Sequence, residues 1–170
     1  MPLEIRRERR DDRAAVREVN ELAFERSAEA DLVDAVRSAG AVTLSLVAAL
    51  DGAVVGHILF SPVTVASPSG EFSAIGLGPM AVLPQHQRSG IGSALVRAGL
   101  GEIGRAGHEV VVVLGHPAYY PRFGFVRAST LGVRWEYDAP DEAFMVVELR
   151  PGALAGRGGV VRFRPEFAGV

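Results

Sequence analysis

Residues 80–95 read Met80-Ala81-Val82-Leu83-Pro84-Gln85-His86-Gln87-Arg88-Ser89-Gly90-Ile91-Gly92-Ser93-Ala94-Leu95. A strand pattern ends at Pro84, a polar loop follows, and a helix opens on Gly90 and Gly92. The backbone N–H groups of a first helical turn have no intrahelical partner and lie at the positive end of the helix dipole. The two glycines leave these groups uncovered, so the pattern predicts a phosphate site, to which Arg88 can add a charged contact. Two glycines that serve only close packing are the alternative interpretation.

The residues before this stretch predict one strand and two helices. The strand covers residues 3–7, and apolar residues at helical spacing follow in 15–23 and 30–36. Asp11 and Asp12 are candidates for capping the first helix, and Gly40 is expected to end the second.

A β-hairpin and a third long strand connect these helices to the loop. Asp51-Gly52 is a strong hairpin signal, and it lies between strand patterns at 43–50 and 53–66. A second turn is predicted at 67–70, and the next strand at 72–83.

After the loop, the pattern predicts a helix, a buried strand, a helical turn and two more strands. These elements cover residues 90–105, 110–114, 117–123, 125–135 and 143–149. The predicted order is therefore β-α-α-β-β-β-α-β-α-β-β. We expect one domain over residues 1–150, on which residues 151–170 pack as a partly ordered extension rich in Gly and Arg.

The loop resembles the acetyl-CoA-binding motif of the GNAT superfamily of N-acyltransferases, in which Arg or Gln precedes x-x-Gly-x-Gly or Ala. Gln87, Gly90 and Gly92 fill the three defined positions. A second family feature, Tyr-x-x-x-Gly-Phe after the fifth strand, is matched by residues 120–125. The resemblance covers most of the chain, because the family has the same element order. It implies an α/β (α+β) fold of the single-domain bacterial type, with a mixed, mostly antiparallel central sheet and helices on both faces.

The resemblance also implies which residues bind acetyl-CoA as a cosubstrate. The cofactor arm is expected along the end of the fourth strand, and the pyrophosphate at the loop and helix start. The residues implied are Met80, Ala81, Val82, Gln87, Arg88, Ser89, Gly90, Ile91, Gly92 and Ser93. No metal is expected, because the four histidines, His57, His86, His108 and His116, have no ligand spacing.

For the chemistry, the resemblance implies direct attack of an amine on the thioester without an acyl-enzyme. Tyr120 matches the family position of the general acid that protonates the leaving thiolate. Residues 75–83 contain no carboxylate, although family members often carry one there. The candidates for the base are therefore Glu29, His116, the less favoured Asp31, or a water that relays the proton.

The composition excludes several other kinds of protein. The chain of 170 residues contains no Cys and no Lys, which rules out a thiolate nucleophile, a Lys Schiff base and a P-loop lysine. The formal net charge of -2 argues against broad nucleic-acid or anionic-membrane binding. Residues 76–81 match a dinucleotide fingerprint weakly, but they run to Pro84 instead of opening a helix.

Two functions from different classes remain. The first is an N-acetyltransferase that acts on a primary amine of a small molecule or a protein. The second is a non-catalytic acyl-CoA-binding or interaction module, favoured by the missing carboxylate. No apolar run is long enough to cross a bilayer, and residues 1–6 lack the apolar core of a signal peptide, so a cytoplasmic location is expected. A homodimer through the last strands or the tail is expected from the family alone.

Overall fold

The computed structural model describes residues 2–170, which form two compact units. The first unit consists of residues 2–61, 78–102 and 165–170. The second consists of residues 62–77 and 103–164. The prediction of one domain with a packed extension stays a prediction.

Within residues 2–170, three helices and nine strands follow one another in an α/β order. They are β1 (Leu3–Arg7), α1 (Arg13–Phe24), α2 (Ala28–Ser38), β2 (Leu44–Leu50), β3 (Ala53–Ser67), β4 (Gly70–Val82), α3 (Ile91–Arg105), β5 (Val110–Leu114), β6 (Val126–Arg127), β7 (Val133–Trp135), β8 (Phe144–Glu148) and β9 (Gly159–Arg162). Hydrogen bonding orders the strands β1-β2-β3-β4-β5-β8-β6, and β9 pairs with β3 and β7. The strand pairs are mostly antiparallel, which confirms the predicted fold class.

The first unit is built on the predicted hairpin. Asp51 and Gly52 both have positive φ, 51° and 82°, which the tight turn between β2 and β3 requires. The strand β1 adds to β2 in antiparallel register, with Leu3 opposite Leu50. Apolar residues of α1 and α2 pack with strand residues in one buried cluster: Val16, Leu32, Val33, Val36, Ala41, Val47 and Leu59. The helical spacing in the sequence therefore identified the buried face of α2 and most of that of α1, where Leu22 is exposed.

The second unit is centred on β5, the continuous β-branched run. Its residues pair in parallel with β4 and in antiparallel with β8, and residues 110–113 are buried. A cluster of buried residues surrounds it, formed by Val63, Val65, Ala74, Val110, Val112, Ala128, Val133, Phe144, Val146, Ala153, Leu154 and Val161. A strand that is buried on both faces of its sheet carries apolar residues at successive positions, so the run of valines predicted this strand.

The helical turn predicted over residues 117–123 is present in its second half. A 3₁₀ turn covers Tyr120–Phe123, and Gly124 ends it with a φ of 94°. Pro121 lacks the N–H that a longer helix would need, and Gly124 adopts the left-handed conformation that ends helices. The element is therefore too short to count as a helix in the order.

The strand predicted over residues 125–135 is wrong as one element. Residues Ala128–Leu131 form a 3₁₀ turn that separates β6 from β7. The Thr130 hydroxyl donates a hydrogen bond of 2.6 Å to the Arg127 carbonyl, and Gly132 closes the turn with a φ of 76°. Local hydrogen bonds of a Thr side chain compete with strand pairing, and the alternation of apolar residues does not reveal them.

The tail contains a strand that the sequence did not predict. Residues Thr64–Ala66 of β3 pair with β9 in antiparallel register, and β7 pairs with β9 in parallel. The Gly159 N–H also donates to the Gly132 carbonyl at 2.9 Å. The only apolar signal in β9 is Val160-Val161 among Gly and Arg residues, which is too short to predict a strand.

Candidate functional site

The end of β4 is buried and fixed to its neighbour. Ala81 and Val82 are buried, while Met80 is half-buried. The Leu83 N–H donates to the Val55 carbonyl at 2.9 Å, which holds the end of the strand against β3. The loop that follows therefore starts from a rigid position.

The loop after β4 is tied back to the strand by a side chain. Residues Pro84–His86 form a 3₁₀ turn, and the Nε2 group of Gln87 donates a 2.9 Å hydrogen bond to the Val82 carbonyl. The Ser89 hydroxyl donates to the His86 carbonyl. Gln87 thus holds the loop to the backbone of Val82, which is predicted to lie along the cofactor arm.

The backbone of the loop is left-handed at two positions. Arg88 has a φ of 61° and Gly90 a φ of 87°. No heavy atom lies within 4 Å of the place where a Cβ of Gly90 would stand, and residues 87–90 are exposed. Glycine adopts positive φ without strain, whereas most other residues pay a steric penalty there. The loop therefore presents open backbone at the start of the helix.

The helix α3 begins at Ile91, and its first turn follows the open loop directly. The Ala94 N–H bonds to the Gly90 carbonyl at 3.0 Å, so the amides of Ile91 and Gly92 precede the first such bond. Ile91 and Leu95 are buried, which fixes the helix on its apolar face. Amides at this end of a helix attract anions, so the start of α3 has the open backbone that the sequence predicts, and the phosphate site stays a prediction.

Tyr120 lies in the 3₁₀ turn of the second unit and is 7% exposed. The rings of Tyr119 and Phe125 contact its ring edge-on, with centroid distances of 5.1 and 5.6 Å. Burial, with a smaller contribution from Tyr119, raises the pKa of Tyr120 well above its ordinary value. The shift favours the protonated phenol, which can act as a hydrogen-bond donor.

The three candidates for the base lie in different surroundings. Glu29, at the start of α2, is buried and forms an ion pair with Arg26 in which Nε donates to Oε1 at 2.9 Å. Asp31 is exposed, and its hydrogen bond from Arg17 holds the pKa of the carboxyl below its usual value, which weakens it as a base. His116 is exposed, and its backbone carbonyl accepts the Tyr119 N–H at 3.1 Å.

The structure groups the predicted residues into two sets. All predicted cofactor-binding residues and Glu29 belong to the first unit, whereas His116 and Tyr120 belong to the second. Within residues 2–170, no three His, Asp or Glu side chains come together as a possible metal site. None of the helices in the same range has the length and apolar character that a membrane crossing requires.

The first unit contains a buried network of hydrogen bonds that the sequence did not predict. His57, in β3, is fully buried; its Nδ1 lies 3.2 Å from Nδ2 of Asn20, and its Nε2 lies 2.9 Å from the Ser45 hydroxyl. Ser45 donates to Glu8 at 2.9 Å, and Arg37 donates to the same carboxylate at 2.6 Å. A single His in an apolar strand pattern was the only signal for this chain of contacts.

Because His57 is buried, we expect the free energy of unfolding to fall at acidic pH. Burial, with a smaller effect of the Arg37 charge, lowers the pKa of His57 from 6.5 to about 3. Between pH 6.5 and about pH 3, His57 therefore binds a proton in the unfolded chain but not in the folded one. The free energy of unfolding should then fall by about 1.4 kcal/mol for each pH unit, or ~2 kcal/mol by about pH 5.

Urea unfolding at several pH values measures this slope. His57→Gln keeps hydrogen-bonding atoms but cannot titrate, so it should flatten the slope below about pH 6.5. The matched variant His116→Gln, at an exposed His, should keep it. An unchanged slope in His57→Gln would show that other groups cause the acid sensitivity.

Comparison with known proteins agrees with the fold. The sequence model of the acetyltransferase (GNAT) domain matches residues 4–128. The chain is 39% identical over 145 residues to YhbS of Escherichia coli (strain K12), an uncharacterized N-acetyltransferase, covering 85% of this chain and 86% of that protein.

Two solved structures are similar over nearly the whole chain. The crystal structure of Escherichia coli YhbS in complex with CoA has a TM-score of 0.91 and 36% identity, covering 97% of this chain and 91% of that chain. A GNAT family acetyltransferase from Brucella melitensis in complex with acetyl-CoA has a TM-score of 0.80 and 39% identity, covering 98% of both chains. By its matched domain and by these relatives, the chain belongs to the GNAT acetyltransferase family.

Proposed function

We propose that this protein transfers the acetyl group of acetyl-CoA to a primary amine of a small molecule or a protein, by direct attack within a ternary complex. The observation that carries the proposal is the open, left-handed loop at Arg88 and Gly90, which leads into the first-turn amides of α3. Similar proteins with CoA or acetyl-CoA in their crystal structures support it.

The residues at the start of α3 fit a pyrophosphate. Its oxygens need several donors and no bulky neighbours, and the loop offers open space at Gly90 and exposed backbone at residues 87–90. We propose that the amides of Ile91, Gly92 and Ser93 hold the pyrophosphate together with Arg88 and Ser89. The pantetheine arm then runs along Met80, Ala81 and Val82.

In the proposed reaction, the amine nitrogen attacks the thioester carbonyl carbon and the carbon–sulfur bond breaks. A backbone N–H near Val82 stabilises the oxyanion that forms in between. Tyr120 donates its proton toward sulfur as negative charge builds there. Its raised pKa makes it a weaker acid than an exposed phenol, so its proton moves only as the thiolate develops. A base takes the proton that the attacking nitrogen loses, and exchange with water returns one proton to the phenolate, which balances the reaction.

The group that accepts the proton of the amine stays a prediction. Glu29 and His116 are the candidates, and a water that relays the proton is the alternative. Glu29 forms an ion pair with Arg26, which an approaching amine would have to share or displace. A cytoplasmic location and a homodimer also remain proposals, and light scattering of the purified protein tests the second.

Thiol release from acetyl-CoA in the presence of a panel of amines tests the proposed function. The panel should contain amino acids, polyamines, aminoglycosides and peptides with a free amino terminus. Turnover with any of them supports a transferase. Binding of CoA in calorimetry without turnover on the whole panel would favour the acyl-CoA-binding module, and absence of binding would contradict both functions.

Replacement of Arg88 by Ala should weaken acetyl-CoA binding moderately. The side chain is exposed, so its contact with a phosphate is partly screened and should contribute about 1–2 kcal/mol. Calorimetry at low and high salt measures the loss, which should shrink as salt rises. Arg105→Ala, at the other end of α3, is the matched control and should leave the affinity unchanged. Equal affinity of Arg88→Ala and the parent protein at low salt would argue against the contact.

A further inference from the structure

Gly115, directly after β5, lies against the ring of Tyr120. A Cβ on Gly115 would stand 3.0 Å from Cδ2 of that ring and closer still to Cε2. The φ of Gly115 is outside the left-handed region, so only space restricts this position. Any residue larger than glycine would therefore have to displace the phenol.

The backbone beneath the ring is fixed on both sides. The Gly115 N–H donates to the Ala143 carbonyl at 2.9 Å, which anchors it to the start of β8. The next carbonyl, that of His116, accepts the N–H groups of Tyr119 and Tyr120 at 3.1 and 3.4 Å, which fixes the turn. The backbone of neither residue can move away without breaking these bonds, so the ring itself would have to move.

Phe125 borders the ring from a different direction. It is 2% exposed, and its ring meets that of Tyr120 at 5.6 Å with an interplanar angle of 75°. The Tyr120 ring thus lies between the bare backbone of Gly115 and the buried ring of Phe125. Both contacts restrict the positions that the hydroxyl can take.

We infer that Gly115 and Phe125 are positioning residues, which place the Tyr120 hydroxyl where it can donate to the leaving thiolate. The inference rests on the proposed role of Tyr120 as the acid. It means that catalysis, and not only folding, requires a glycine at position 115. A misplacement of about 1 Å can cost roughly 100-fold in rate.

The first test is Gly115→Ala, assayed with two donors and the amine of the panel that gives the highest rate. One donor is acetyl-CoA, and the other is an aryl thioester, whose thiol leaves readily without a proton. With acetyl-CoA, kcat should fall by about 10- to 100-fold while KM stays within about threefold. With the aryl thioester, the loss should be several times smaller.

The matched control is Gly99→Ala. A Cβ on Gly99 would stand 2.5 Å from Cζ of the buried Phe60, so it meets an aromatic ring as closely as one on Gly115 does. This variant should lower Tm without making the loss of kcat depend on the donor. A donor-dependent loss in Gly99→Ala would overturn the inference, because the effect would then follow from crowding in general.

Two further variants keep the test decisive. In a Tyr120→Phe background, Gly115→Ala should cause no additional donor-dependent loss, since the hydroxyl that it displaces is gone. If Gly115→Ala does not fold, Phe125→Leu removes the aromatic contact on the other side of the ring. It should give a loss of kcat that also depends on the donor but is smaller. A folded Phe125→Leu protein without a donor-dependent loss would overturn the inference.

The inference and the proposed function can fail separately. If Tyr120→Phe shows the donor-dependent loss and the folded Gly115→Ala does not, only the positioning role is wrong. If Tyr120→Phe keeps full activity, the role of Tyr120 as the acid fails, and the inference fails with it.

Discussion

Tyr120→Phe should lower kcat by roughly 10² to 10⁴ while the affinity for acetyl-CoA hardly changes. The substitution removes one hydroxyl and keeps the ring that contacts Tyr119 and Phe125. Binding and chemistry are thereby separated. Steady-state kinetics with acetyl-CoA and calorimetry with CoA measure the two quantities.

The origin of this loss can be tested with the leaving group. If the hydroxyl protonates the departing thiolate, the loss should shrink with an aryl thioester, because acid assistance matters most for a poor leaving group. Tyr119→Phe is the matched control, since it removes a neighbouring hydroxyl and should keep most of the activity. Equal losses with both donors would leave Tyr120 as a residue that orients the substrate.

Gly92→Val should weaken acetyl-CoA binding by about 100-fold or more. The added side chain occupies the approach to the first-turn amides of α3 and displaces hydrogen bonds to charged oxygens, each worth about 1.5–3 kcal/mol. The fold should survive, because Gly92 is not among the buried residues. Calorimetry with CoA, after circular dichroism has shown a folded protein, measures the affinity.

The control for this variant is the same substitution at the other end of the same helix. Gly104 is exposed, and a Cβ there would meet only the Leu149 side chain at 3.8 Å. Gly104→Val therefore carries a similar change in helix propensity without touching the loop. Unchanged CoA affinity in a folded Gly92→Val protein would refute the placement of the pyrophosphate.

Much of the fold could be predicted because short-range chemistry determines it. The Asp51-Gly52 pair adopts the positive φ values that only a few residues accept, and the successive valines of β5 are all buried, on both faces of the sheet. The split of the strand at residues 128–131 could not be predicted, because it depends on a hydroxyl that bonds to its own backbone. Such competition leaves no trace in hydrophobic periodicity.

The candidate site also has one part that the sequence predicts and one part that it does not. The glycine spacing after β4 predicted an open helix start, since that property belongs to the residues themselves. Gly115 contacts Tyr120 but lies outside the motif of residues 120–125, and His57 bonds to Asn20 and Ser45, which are distant in sequence. These contacts arise from packing, and a single sequence contains no pattern for them.

The strand in the tail has a consequence for synthesis on the ribosome. The second unit needs β9 as the partner of β3 and β7, and in the first unit Phe167 packs against the cluster of α1 and α2. Because translation proceeds from the amino terminus, neither unit can complete its contacts before residues 159–167 have left the exit tunnel. Until then, part of β3 exposes an unpaired edge that other nascent chains can bind. We therefore expect the nascent protein to depend on chaperones late in translation, and a stop at residue 158 to give an aggregating chain.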